Sequence, residues 1–201
     1  MLRKFFTILS LLFFAVGVAH AAILTEGELD LKCQSVSKKT VFHVSRDDEA
    51  KALAEEFLTK LGIRATVVIC SGASGPHDVA REFLLTSGPD QYFFIALNSL
   101  VRMALGDALR GVIGHEVGHL QDKASCAVSL EQENIELSIT SETYIACEHA
   151  ADVVGERLAG RGQVAHALAR VATYLRQRQG DNDPKTEDIV FTLYRRISLL
   201  R

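Results

Sequence analysis

The segment His115-Glu-Val-Gly-His119 sets two imidazoles four residues apart with a carboxylate between them. On a helix that spacing points both rings to one side, one turn apart, as two ligands for one metal ion. Glu116, beside a ligand, is suited to take a proton from a water that a bound metal has made acidic. Chance produces these three residue types in a chain of this length at roughly the per-cent level, so the surroundings must decide the meaning of the motif.

Those surroundings contain a third ligand. In Cys147-Glu-His-Ala-Ala-Asp152, expected on a separate helix, Glu148 is the candidate. Asp152, four residues on, shares its face and can accept the second N–H of a ligand histidine, fixing its tautomer. His149 points about 100° away from Glu148 and reads as a neighbour of the site. His43, His77 and His166 have no metal-ligand spacing to the motif.

Several elements must position these residues. Thr40 to Ser45 and Arg64 to Cys70 read as strands, separated by a helix that starts at Asp47 or Asp48 and ends at Gly62. Ser71 to Pro76 reads as a loop, and Val79 to Leu85 suits either a strand or a helical turn. Tyr92 to Leu97 carries the strongest strand signal, and at a sheet edge it would hold an extended peptide by strand addition. Asn98 or Ser99 caps a short helix through Met103, and Asp107 opens the helix that carries the motif. Gln121 to Glu136 reads as irregular. Helices follow over Ser141 to Ala159 and Gln163 to Arg178, broken by Gly160 and Gly162, and Thr186 is expected to cap a last helix. Strands gather early and helices late, the pattern of an α+β domain.

Arg3 and Lys4 precede the apolar run Phe5 to Val18 and then Ala19-His20-Ala21, the layout of a cleavable signal peptide. The run is shorter than the roughly 18 residues that a membrane span needs. Residues 1–21 are therefore expected to be a signal peptide and 22–201 a single metallopeptidase domain, secreted or periplasmic, with no stable membrane anchor after cleavage. Losing Arg3 and Lys4 takes the formal charge from −3 to −5, and the basic residues are scattered, so no nucleic-acid partner is expected. All four cysteines fall in the mature part, where export favours disulfides. Of three possible pairings, Cys33 with Cys70 and Cys126 with Cys147 are expected.

The run Asp107 to His119 (DALRGVIGHEVGH), followed by Glu148 to Gly155 (EHAADVVG), resembles the gluzincin peptidases that include the CAAX prenyl protease and the bacterial heat-shock protease HtpX. The likeness extends over about Tyr92 to Pro184. It implies a zincin-like domain holding one Zn2+ per chain through His115, His119 and Glu148, with Asp152 behind a ligand histidine and a peptide or protein as substrate. The flanking transmembrane helices of membrane members are missing, as in the soluble, exported ones. Asp183 stands where many relatives carry the His of a His-Pro pair. The resemblance therefore implies another donor to the oxyanion, for which Arg196, His166, Tyr144 and Tyr194 are the candidates. A zinc-dependent endopeptidase with Glu116 as general base is the expected function. Its alternatives are a catalytically weak or inactive, zinc-stabilised partner-binding module of the same fold and a disulfide-stapled structural domain.

Overall fold

A computed structural model describes residues 23–35, 41–73, 79–87, 89–121, 140–179 and 183–201. The expected signal peptide and Cys126 lie outside these residues. At the centre is β4 (Asp90–Asn98), whose run of apolar side chains is buried on both faces. Phe93, Ile95 and Leu97 enter the larger core, and Tyr92, Phe94 and Ala96 the smaller one on the opposite face. The alternation is the period of two that a strand imposes. β2 (Thr66–Gly72) divides its residues the same way, with Val67 and Ile69 on one face and Val68 and Cys70 on the other.

The sheet has the order β1-β2-β4-β3, where β1 is His43–Val44 and β3 is Ala80–Ser87. β2 runs parallel to β4, and the outer pairs are antiparallel. Two expectations are settled by this order. The segment from Val79 is strand rather than helical turn, because β4 offers it a full ladder from Ala80↔Leu97 to Ser87↔Asp90. Tyr92 to Leu97 is not an edge: both its sides are paired, and among the described residues the outer strands are β1 and β3.

α1 (Glu26–Ser35), absent from the elements expected above, covers the smaller core. Leu29 and Cys33 turn inward while Leu31 stays exposed, so no continuous apolar stripe marks the helix. It is fastened instead by the Cys33–Cys70 disulfide, and by Asp30, which accepts from the Val44 N–H at 2.9 Å. Closing a loop of 37 residues, the bond limits the unfolded chain by roughly 4 kcal/mol. Cys147 is also disulfide-bonded.

On the other face lie α2 (Asp48–Lys60), α3 (Ser99–Leu105), α4 (Leu109–Gly118), α5 (Glu142–Ala159), α6 (Gln163–Gln179) and α7 (Pro184–Leu199). The chain is thus α+β with a small mixed sheet. Asp47, Asn98 and Ser141 cap α2, α3 and α5 by accepting backbone N–H bonds. α7 is capped by Asp183 rather than Thr186: its carboxylate accepts from the Thr186 N–H at 3.2 Å and hydroxyl at 2.6 Å. Pro184 then fills the first turn, where a missing N–H costs nothing. Cations close the far end of α5, where Lys60 donates to the Leu158 carbonyl and Arg110 to that of Ala159. Among the described residues, no helix is long and apolar enough to cross a membrane.

Candidate metal centre

α4 runs through the interior, with Leu109, Val112, Ile113, Glu116 and Val117 all buried. His119, just past its last turn, keeps helical dihedrals (φ −58°, ψ −26°) and bonds back to the His115 carbonyl at 3.3 Å. The two imidazoles therefore stay one turn apart, their Nε2 atoms separated by 3.2 Å.

The third group arrives on α5, which packs on α4 through small residues. Gly111, Gly114 and Gly118 line one side of α4, opposite Ala151, Gly155 and Ala159 of α5 and the start of α6. A Cβ on Gly118 would lie 2.3 Å from the Ala151 carbonyl oxygen, and one on Gly155 would lie 2.9 Å from the His115 nitrogen. Backbone meets backbone here, which brings Glu148 to 3.3 Å from His115 Nε2 and 3.8 Å from His119 Nε2. Gly118→Ala is expected to destabilise the fold by about 1–3 kcal/mol through overpacking, and to weaken metal binding because Glu148 is pushed away. Denaturant unfolding and metal titration check this; unchanged metal affinity would show that the side chains, not the helix separation, set the site.

His115, His119 and Glu148 form a group whose ligand atoms lie within 4.8 Å of one another and could hold a metal ion. The spacing can be tested against coordination chemistry. Tetrahedral zinc with Zn–N bonds of about 2.0–2.1 Å separates its ligand atoms by roughly 3.3 Å. The Nε2–Nε2 separation of 3.2 Å and the 3.3 Å from His115 Nε2 to Glu148 Oε2 match that edge, while His119 Nε2 lies 3.8 Å from the other Glu148 oxygen, Oε1. Two imidazoles with one carboxylate also suit zinc better than calcium or magnesium, which favour oxygen.

Behind the ligands is a buried ionic layer. Asp152, fully buried, faces His115 Nδ1 at 2.8 Å, which leaves Nε2 to meet the metal. Arg196, 5% exposed, donates from Nε and Nη2 to the two Asp152 oxygens at 2.8 and 2.7 Å, and its Nη1 lies 2.8 Å from Glu148. The guanidinium fork is thus occupied by two carboxylates, so the role its geometry supports is to hold them in place rather than to donate to an oxyanion.

Charge follows from these contacts. Burial and the Arg196 charge oppose protonation of His115, but hydrogen bonds to Asp152 and Glu148 outweigh them and hold its pKa at about 10. Burial, reinforced by the His115 charge, lowers His119 to about 4. One proton therefore sits on the imidazole pair, on His115. Burial would raise Glu148, yet the His115 bond and Arg196 take it down to about 2. Asp152 is likewise depressed, its burial overcome by Arg196 and His115. Glu116 moves the other way: burial pushes it up to about 7 against the pull of His115, and Glu82 of β3 and Glu148 add to the rise.

A metal must displace the His115 proton, because a ligand nitrogen needs its lone pair. Below pH 10 that proton is in place, so metal affinity is expected to rise about tenfold per pH unit from pH 6 to 8, with one proton released per ion. Calorimetry in buffers of different ionisation heat reads that proton; uptake or no exchange would contradict the assignment.

The remaining candidates separate clearly. Tyr144, one turn before Glu148 on α5, is partly buried; burial pushes its phenol upward and the charges of Glu148 and Glu116 add to it. His166 pairs instead with Asp107 at 3.3 Å, two turns before the motif. Tyr194 is 42% exposed, with the Arg176 guanidinium 5.3 Å from its ring centre. Among the described residues, the buried Nδ1 of His149 has no hydrogen-bond partner. Glu82 was not singled out from sequence, since only the strand order brings it to Glu116. Neither protein-family models, nor curated proteins, nor solved structures give a match to this chain.

Proposed function

We propose that the protein is a zinc-dependent endopeptidase of the gluzincin type, a single zincin-like domain acting on exported or periplasmic proteins or peptides. The observation that carries this reading is the convergence of His115, His119 and Glu148 beside a buried Glu116. Zinc bound there supplies Lewis acidity, acidifying water and polarising a carbonyl. Glu116, its pKa near neutrality, takes a proton from the attacking water and returns it to the leaving amine. Asp152 keeps His115 in the ligating tautomer, and Arg196 fixes Asp152 and Glu148. Tyr144 is the neutral donor best situated for the oxyanion. β3, an outer strand among the described residues, carries Glu82 toward Glu116 and is a natural guide for an extended peptide.

The experiment is elemental analysis of exported protein together with digestion of an unbiased peptide library, read by mass spectrometry. One zinc per chain and discrete cleavage sites are expected, and both should vanish in Glu148→Ala. Stoichiometric zinc without cleavage would favour the partner-binding module, and no zinc at all would end both readings.

A further inference from the structure

We infer that Glu82 of β3 selects a basic side chain, Lys or Arg, at one position of the peptide that the metal centre takes; this rests on the peptidase reading above. β3 pairs with β4 so that Ala80, Glu82 and Leu84 stand opposite Leu97, Ile95 and Phe93. Residues directly opposite share a face of a sheet, and these three partners all enter the larger core beneath the helices. Ala80 and Leu84 pack against that core as well, so Glu82 interrupts an apolar inward row with a carboxylate. It is half-buried there. Leucine or valine would complete the row at lower cost, because a carboxylate loses hydration as it is covered.

The neighbouring helix adds to that cost. α4 packs on β3, and the charge of Glu82 reaches the buried Glu116, where it adds to the rise of that pKa. A like charge beside a buried carboxylate opposes folding, and a cation that arrives with the substrate relieves both groups. The Arg196 fork is taken by Asp152 and Glu148, and Arg81, next on the strand, stands opposite Ala96 on the other face of the sheet. A peptide added along the outer side of β3 places one residue opposite Glu82, its side chain on the same face and the Cβ atoms about 4.5–5.5 Å apart. Lys or Arg there meets the carboxylate and lays its apolar stem along the sheet, whereas Asp or Glu is repelled. The peptide residues just before and after point to the opposite face, so Glu82 does not select them. β1 cannot serve in this way, being two residues long and at the other end of the sheet from β3.

The test uses zinc-loaded exported protein and labelled peptides in which a single Lys, Gln or Glu is moved along an alanine-serine chain. Cleavage is read by mass spectrometry, and affinity by fluorescence anisotropy on the zinc-loaded Glu116→Gln variant, which needs no hydrolysis. At one position Lys should exceed Gln about tenfold in kcat/KM and in affinity, with Glu weakest. Glu82→Gln should erase the difference between Lys and Gln, and Glu82→Lys should favour Glu. The glutamine variant is nearly isosteric and stays informative if the lysine variant misfolds. A Lys preference that persists undiminished in Glu82→Gln, or no preference at any position, overturns the inference. Absence of cleavage together with a Lys-dependent affinity that Glu82→Gln removes would instead end the peptidase reading and leave Glu82 as the group that recognises a bound peptide.

Discussion

Glu116→Gln is expected to keep its metal and its melting temperature while peptide hydrolysis falls about 10²- to 10⁴-fold. The glutamine amide has nearly the same shape but cannot accept a proton at the needed basicity. Glu116 is 6% exposed and burial already raises its pKa to about 7, so exchanging it for a neutral group removes a strained charge rather than a structural contact. Stability therefore does not fall. Activity within about threefold of wild type, measured on any peptide cleaved by the native protein, would remove Glu116 as the base.

The second large effect concerns stability. Arg196→Met is expected to cost about 3–5 kcal/mol in the metal-free protein, because it leaves Asp152 and Glu148 buried with too little positive charge. Arg196→Lys should recover only part, since an ammonium cannot reproduce the two-pronged contact to Asp152 at 2.8 and 2.7 Å. Adding Asp152→Asn to Arg196→Met should restore stability relative to the sum of the two single losses. Guanidinium unfolding of wild type, Arg196→Met, Arg196→Lys, Asp152→Asn and the double variant measures this. Additive losses would mean that the contact between the two side chains contributes nothing.

The sequence carried α4 and α5 because their information is local. The four-residue spacing of His115 and His119 and the run Glu148 to Asp152 are each complete within two turns. What was not legible depends on distant partners. Arg196 meets Asp152 across 44 residues and His115 across 81, so its type alone could not separate an oxyanion donor from a structural clamp. β3 could not be told from a helical turn until β4 supplied its ladder. The edge position of β3 is a property of the whole sheet, and no short segment encodes it. α1 is held by a disulfide and a single carboxylate rather than by an apolar stripe, so periodicity gave no sign of it. Asp183 reads as an odd replacement in a comparison of motifs, yet it has a plain local duty as a helix cap.

In His115-Glu-Val-Gly-His119 the metal chemistry leaves positions 117 and 118 open, but the contact of α4 with α5 closes them. Val117 is fully buried, and Gly118 has no room for even one carbon atom against Ala151. All five positions are thus constrained, three by the proposed coordination and proton transfer and two by the nearness of the neighbouring main chain. Grafting only the histidines and the glutamate onto another helix pair would reproduce two ligands and leave the third out of reach. Any scaffold that is to receive this centre needs a glycine and alanine seam before it needs a single ligand.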